Sequence, residues 1–283
     1  LVANQHPAVK AVAPLFNDWN WTNHLIMPGG VKLNFFLSEW GASVAALDNN
    51  DLCAAAGLEG IPCMLALAMT SGVKPVADAE DDALEKAVAA HATNMRVADA
   101  VISWDYHDDP MGPSGITDAA TRTTSSGHAP TLDAAGTAFH VPVGWLDAAT
   151  ANGALSRYNT LTNPQQVLIG PWSHGGGHHI DPFLPADAPV EPPRMDQRRD
   201  MLAFFDRFLK DDTPGTIDTG ITYYTLGAGT WSSTSIWPPQ DLTESVLYLS
   251  EDNALSATIP EQAAGSDDYT VDFAATTGAQ SRW

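Results

Sequence analysis

Positive charge is scarce in this 283-residue sequence, which has 13 lysine and arginine residues against 34 acidic residues and a formal net charge of −21. Nucleic acids and anionic membranes bind proteins through basic surfaces, so this composition argues against both as partners. Apolar runs are also short, and none reaches the roughly 18 residues that a membrane-spanning helix requires. The composition therefore predicts a soluble globular protein and leaves cytoplasmic and secreted locations open.

Cysteine is nearly absent, since Cys53 and Cys63 are the only two in the chain. A disulfide bond across the intervening segment CAAAGLEGIPC is one alternative, and two buried free thiols are the other. We expect the free thiols. A chain with so few cysteines must rely on its hydrophobic core, and 283 residues suffice for one large domain or two smaller ones.

The first half of the sequence changes in character after Gly29 and Gly30. A short buried strand is predicted at 8–14. Residues 31–135 are rich in alanine and leucine at first, with one long amphipathic helix predicted at 78–100, and become polar after residue 107. This pattern predicts a helical subdomain at 31–135, inserted between residues 1–30 and the segment that follows.

Strand and helix patterns alternate in the second half of the chain. We predict strands at 139–145 and 166–170 and helices at 148–161 and 194–210, an order typical of a parallel sheet with crossover helices. From residue 221 onward only strand patterns remain: ITYYTLG, SVLYLS and YTVDF. The fold class is therefore α/β, with a partial β-sandwich predicted at 221–283.

Two predicted strands end in residues that can carry acid–base chemistry. The first is followed by GWLD, which contains Asp147, and the second by GPWSH, which contains His174. In open α/β sheets the carboxyl ends of the strands form the active site, and an acid followed by a histidine completes a Ser…Asp…His triad. Asp147 has an alternative role as the N-cap of the helix that follows it.

Several segments in the same order resemble the acyl hydrolases related to cocaine esterase and the X-Pro dipeptidyl-peptidases. They are HPAVKAVAP, PGG, VPVGWLDAAT, VLIGPWSHGGG, LAFFDRFLKD and YYTLGAGTW, and they span most of residues 6–250. The resemblance implies an α/β-hydrolase core at 1–30 and 136–220, a helical cap at 31–135, and the start of a C-terminal jelly roll at 221–283. It also implies that Asp147 and His174 are triad members, that no cofactor is needed, and that a homodimer is one assembly to consider.

The nucleophile of such a triad is a serine in the motif G-x-S-x-G, and no serine here fits that motif. The nearest match, GPSGI around Ser114, lacks the second glycine in the right place. The resemblance places the serine about ten residues upstream of Leu1. We therefore expect a fragment of a serine-type acyl hydrolase that is inactive alone. The alternative is a catalytically inactive homologue that binds a small ligand in the cap cleft.

The resemblance also implies an acyl pocket, for which Leu25, Met27 and Ala149 are candidates. Trp145 and Trp172 flank the two catalytic positions, where they either line that pocket or pack in the core. Related amino-ester hydrolases carry an acidic pair after the aspartate, whereas alanines follow Asp147 here. A neutral acyl ester, or an amide or peptide, is therefore the expected substrate.

A metal site is the remaining alternative for the histidine-rich segment. His174, His178 and His179, together with Asp181, provide four donors of the type that zinc prefers. Glycines at 175–177 make a helix improbable there, and a helix is what would align histidines four or five residues apart. We expect the glycines to bring His174 close to the sheet, with no metal bound.

Overall fold

In the computed structural model, the described residues are 1–70, 76–101, 104–106, 109, 124–185, 187–210, 219–240, 242–261 and 264–275. Ser114 lies outside them. The helices are α1 Asn34–Asp48, α2 Leu52–Ala55, α3 Gly60–Met69, α4 Ala83–His91, α5 Val97–Val101, α6 Ala129–Ala134, α7 Thr150–Thr160 and α8 Arg194–Leu209. The strands are β1 Ala11–Val12, β2 Ala138–Gly144, β3 Gln165–Gly170, β4 Gly220–Thr225, β5 Thr230–Thr234, β6 Tyr248–Ser250 and β7 Ala254–Ser256.

Five strands form the central sheet in the order β1-β2-β3-β4-β5. The first four are parallel, and β5 returns antiparallel to β4. The predicted parallel sheet with crossover helices is thus confirmed. The strand predicted at 8–14 is much shorter than expected, because only Ala11 and Val12 pair with β2 and both are half-buried rather than buried.

Alternating residues of β2 face helices on opposite sides of the sheet. Val141 and Val143 pack in the same cluster as Leu155 of α7, and all three are buried. His140 points to the other side, where its ring lies 5.4 Å from that of Phe204 in α8. A strand buried on both faces is typical of a parallel sheet covered by helices. This double cover fixes the position and direction of β2 and of the residues that follow it.

The described elements between residues 31 and 135 are all helical. α1 and α5 pack on a second cluster of buried residues, which is separate from the cluster on the sheet; its members are Ile26, Leu37, Ala100, Val101 and Trp104. The single helix predicted at 78–100 is wrong. Asp78 has a left-handed φ of 62°, so no helix begins there, and the pattern is divided into α4, which ends at His91, and α5, which begins at Val97.

Cys53 and Cys63 form a disulfide bond, so the expectation of free thiols is wrong. The turn between α2 and α3, with Gly57 at a φ of 63°, brings the two Cα atoms to 5.5 Å. That separation lies within the usual range for a disulfide. Composition could not indicate this pairing because it depends on how the turn folds the two short helices together.

The segment predicted as a β-sandwich is divided differently in the structure. ITYYTLG contributes β4 to the central sheet, and among the described residues of this segment only the short hairpin β6–β7 forms a separate antiparallel sheet. YTVDF, at 269–273, forms no strand, and Tyr269 and Phe273 are exposed. The core therefore continues past the predicted boundary at 220. None of the described helices is both long and apolar enough to cross a membrane.

Candidate active site

The ends of β2 and β3 lie side by side, which brings the two candidate catalytic residues together. Gly144 and Gly170, the last residues of these parallel strands, are direct partners in the sheet register. Asp147 follows three residues after the first glycine, and His174 four residues after the second. Because the strands are fixed neighbours, the sheet sets the distance between the two loops.

Both glycines are required by the close approach of Trp172. A Cβ atom on Gly144 would collide with the backbone carbonyl oxygen of Trp172, and a Cβ atom on Gly170 would fall within its indole ring. The loop after β3 therefore folds back over the ends of both strands, and only residues without a side chain leave room for it. This packing explains why GWLD and GPWSH each begin with glycine.

His174 and Asp147 form a hydrogen-bonded pair. Nδ1 of His174 lies 3.1 Å from Oδ1 and 3.0 Å from Oδ2 of Asp147. An ionised carboxylate can only accept hydrogen bonds, so Nδ1 is the nitrogen that donates, and in the neutral imidazole Nε2 keeps its lone pair. Asp147 is fully buried, whereas 49% of the His174 side chain is exposed. The pair thus presents a base to solvent and keeps its carboxylate inside the protein.

Thr150 holds the carboxylate from the opposite side. Its hydroxyl lies 3.1 Å from Oδ2 of Asp147 and 2.9 Å from the Asp147 carbonyl oxygen, and the residue is fully buried. α7 begins at Thr150 without a side-chain cap, so the N-cap alternative for Asp147 is wrong. Sequence reasoning missed Thr150, although its place three residues after the aspartate, at the start of a helix, was the available signal.

Phe16 is a second residue that the sequence did not indicate. It follows β1 with a left-handed φ of 47°, and its amide donates to the carbonyl oxygen of Pro142 at 2.9 Å. Its ring meets the His174 imidazole edge to face at 5.8 Å and lies 6.5 Å from the Trp172 ring. Phe16 therefore packs against one side of the imidazole.

Leu25, Met27 and Ala149, the candidates for the acyl pocket, lie in neighbouring segments. A short π-helical turn, Thr22–Ile26, contains Leu25, and the carbonyl oxygen of His24 in that turn accepts the amide of Ala149 at 3.2 Å. Met27 packs against the buried cluster of the cap helices. The π-helical turn thus borders the loop of Asp147, and substrate contact by these residues stays a prediction.

The two tryptophans have structural partners. Trp145 donates its indole N–H to the carbonyl oxygen of Tyr224 at 2.6 Å and packs against Trp237. Trp172 is fully buried and donates its indole N–H to the carbonyl oxygen of Glu191 at 3.0 Å. These contacts favour the alternative that both rings pack in the core, and a role in substrate binding stays a prediction for both.

The three histidines of the metal alternative face different partners. His174 faces Asp147, His178 lies 3.5 Å from the Ser173 hydroxyl, and the ring of buried His179 packs edge-on against Tyr224. Throughout the part of the chain that the structure describes, no group of three or more His, Cys, Asp or Glu side chains could hold a metal ion. The arrangement contradicts a zinc site built on these histidines.

This geometry, an acid and a histidine on adjacent strand ends, agrees with a family comparison. The model of the X-Pro dipeptidyl-peptidase (S15) family matches residues 1–176, which include both members of the pair. The chain therefore belongs to this family of hydrolases, and the resemblance stated from its sequence motifs is confirmed.

Individual relatives are consistent with that assignment. The chain is 30% identical to "Putative serine esterase Mb1866c" of Mycobacterium bovis and to "Putative serine esterase MT1883" of Mycobacterium tuberculosis, over the whole of this chain and 46% of each relative. It thus spans about half the length of these proteins. An aminopeptidase structure from a marine sediment Thaumarchaeota archaeon matches 90% of this chain and 39% of its own, with a TM-score of 0.55. At 19% identity, that match shows a shared fold alone.

Proposed function

We propose that the chain carries the acid–base pair of a serine-type acyl hydrolase. Its substrates are carboxylic esters, with amide or X-Pro peptide bonds as the alternative. The observation that carries this proposal is the bond from Nδ1 of His174 to buried Asp147, at 3.0 and 3.1 Å, which leaves Nε2 free at an exposed surface. The serine esterase names of the two mycobacterial relatives support the same class of reaction.

The proposed reaction uses His174 twice as a proton carrier. Nε2 accepts the proton of a serine hydroxyl while the serine oxygen attacks the substrate carbonyl carbon, and Asp147 stabilises the imidazolium that forms. The proton then passes to the leaving alcohol as the ester bond breaks, which leaves an acyl-serine. In the second half, Nε2 accepts a proton from water, the resulting hydroxide attacks the acyl carbon, and the serine is released with its proton restored.

The nucleophile of this proposal is a serine outside the 283 residues. No serine of the chain lies in a G-x-S-x-G motif, and the chain spans about half the length of its mycobacterial relatives. The oxyanion donors of a nucleophile elbow come partly from the residue after the serine, so they would lie outside the chain as well. The chain by itself is accordingly expected to be inactive.

A neutral acyl group is the proposed substrate feature. The residues after Asp147 are Ala148 and Ala149, which offer no charge to a substrate ammonium group. Leu25 lies in the π-helical turn whose backbone bonds to Ala149, and Met27 follows that turn and packs against the second buried cluster, so this segment supplies apolar residues beside the Asp147 loop. Pockets that bind uncharged ligands are lined mainly by such side chains.

The test is hydrolysis of 4-nitrophenyl butyrate by the complete gene product. We expect turnover in the wild type, with a fall in kcat of about 10⁴-fold for Asp147→Asn and about 10⁶-fold for His174→Ala, because each removes one member of the proton relay. His178→Ala is the matched control and should retain wild-type turnover. Equal turnover in the His174→Ala variant would refute the assignment of the base.

Two further measurements separate the alternatives. A fluorophosphonate probe should label one serine of the complete gene product, and EDTA should leave turnover unchanged, since no metal takes part in the proposed steps. Absence of both turnover and labelling, together with saturable binding of an ester, would favour an inactive homologue that binds a ligand in the cap cleft.

A further inference from the structure

The loop that carries His174 is closed by hydrogen bonds between its two sides. The amide of Ile180 donates to the carbonyl oxygen of Pro171 at 2.8 Å, and the amide of Ser173 donates to that of His178 at 3.0 Å. His174 lies within the segment that the inner pair, Ser173 and His178, encloses at the tip of the loop. Its position therefore depends on where the base of the loop is held.

A buried carboxylate lies at that base, directly after Ile180. Asp181 is only 3% exposed. Its Oδ1 accepts the amide of Phe183 at 3.0 Å, and its Oδ2 accepts the amide of Gly227 at 3.1 Å. Its carboxylate also accepts a hydrogen bond from the Tyr224 hydroxyl. Tyr224 belongs to β4 and Gly227 to the turn that joins β4 to β5, so Asp181 ties the histidine loop to a neighbouring hairpin.

The charge of Asp181 is stabilised despite its burial. Burial by itself raises the pKa of a carboxyl group, but the donors from Phe183, Gly227 and Tyr224, together with nearby His179, outweigh it and lower the pKa below its ordinary value. The group is therefore an anion at neutral pH. Hydrogen bonds to a charged acceptor are stronger than those between neutral groups, so this carboxylate is a firm point of attachment.

Aromatic rings make a second connection from the hairpin to the imidazole. The Trp231 ring lies 5.4 Å from that of Tyr224 and 5.9 Å from that of Trp172. Phe16 then packs between Trp172 and His174, at 6.5 and 5.8 Å. A shift of the hairpin relative to the loop would disturb these contacts as well.

We propose that Asp181 is a positioning residue for His174: its carboxylate fixes the base of the loop to the β4–β5 hairpin and so holds the imidazole against Asp147. The inference rests on the proposed function in one respect, that His174 is the base. Asp181 touches no reacting atom in this role. It acts through the loop backbone, and its loss should loosen the His174–Asp147 bond while the protein stays folded.

The experiment is exchange of the His174 Nδ1 proton with water, followed by NMR in the complete gene product labelled with ¹⁵N-histidine. His174→Gln identifies the signal among the nine histidines. We expect exchange of this proton to be at least about tenfold faster in Asp181→Asn. The substitution removes the negative charge and places the new side-chain N–H₂ group opposite the N–H donors that the carboxylate accepted. Asp187→Asn removes one charge from an exposed position of the same segment and should exchange at the wild-type rate.

The unfolding midpoint, measured in parallel, separates positioning from general stability. Faster exchange of the His174 Nδ1 proton in Asp181→Asn, under conditions well below the unfolding midpoint of this variant, supports the inference. Wild-type exchange in a folded Asp181→Asn variant overturns it and leaves the proposed function intact. If Asp181→Asn does not fold, Tyr224→Phe decides in the same way, because it removes only the hydroxyl donor. An unprotected His174 proton in the wild type would instead contradict the Asp147–His174 pair, and with it the proposed function.

Discussion

Gly170→Ala is the substitution that most directly tests how the histidine loop is built. A Cβ atom at this position would lie within the indole ring of Trp172, in contact with three of its carbon atoms at distances that real side chains do not adopt. The ring cannot yield easily, because it is fully buried, packs against Phe16 and Trp231, and donates its N–H to Glu191.

The cost follows from what the ring must give up when it moves. Forcing an extra carbon into a packed core costs about 1–3 kcal/mol. Separation of the indole N–H from the Glu191 carbonyl oxygen leaves a buried donor unpaired, which costs about another 1–3 kcal/mol. We therefore expect Gly170→Ala to lower the free energy of unfolding by about 2–6 kcal/mol, a large part of the about 5–15 kcal/mol that domains typically have.

Urea denaturation followed by tryptophan fluorescence measures this loss. Gly177→Ala is the matched control, because it lies on the same loop with a φ of −82° and its Cβ atom would approach only the Arg194 guanidinium, at 4.0 Å. The control should be neutral or stabilising by up to about 1 kcal/mol, since alanine has less backbone freedom in the unfolded chain. A Gly170→Ala variant within about 0.5 kcal/mol of wild type would refute the argument that the ring is immobile.

Three other predictions concern separate parts of the molecule. Thr150→Val removes the hydroxyl that donates to Asp147, so kcat for ester hydrolysis should fall about tenfold at constant KM, and a change in KM alone would contradict the role. Cys53→Ser with Cys63→Ser opens a cross-link over a sequence separation of 10 residues and should destabilise α2 and α3 by about 3 kcal/mol. Amide hydrogen exchange should become faster in α2 and α3 and stay unchanged in β2 and β3. Burial lowers the pKa of His140 below its ordinary value of 6.5, so the unfolded chain binds this proton more readily and stability falls as the pH drops below about 6.5. His140→Gln should flatten the dependence of the urea midpoint on pH between about 5 and 7, and an unchanged slope would contradict the assignment.

The sheet and the contact between Asp147 and His174 could be predicted because local patterns determine them. Strands with continuous apolar runs and helices of matching length alternate between residues 138 and 209, and this order specifies a parallel sheet. Once β2 and β3 are neighbours, the residues beyond Gly144 and Gly170 must meet. Sequence reasoning could therefore predict that Asp147 and His174 lie close together, although it could not give the distance between them.

The helices between residues 31 and 135 could not be predicted in the same detail, because contacts distant in sequence accompany their ends. Asn94, beyond the end of α4, donates its side-chain amide to Asp48, 46 residues earlier, at 3.1 Å. Likewise, β4 is a strand by local pattern, but only its pairing with β3 assigns it to the central sheet instead of a sandwich. The sequence indicates Asp181 only as one possible zinc ligand, because its hydrogen bond with Gly227, 46 residues away, depends on the fold.

The two buried clusters are separate, and this separation has a consequence for how the protein can vary. The sheet cluster includes residues of β2 and β3, whereas α1 and α5 pack on the cluster of Ile26, Leu37, Ala100, Val101 and Trp104. Substitutions on the faces of α1 and α5 that contact this second cluster can therefore accumulate without repacking the residues of β2 and β3. The helices on the second cluster and the paired strand ends can thus vary separately within the same chain.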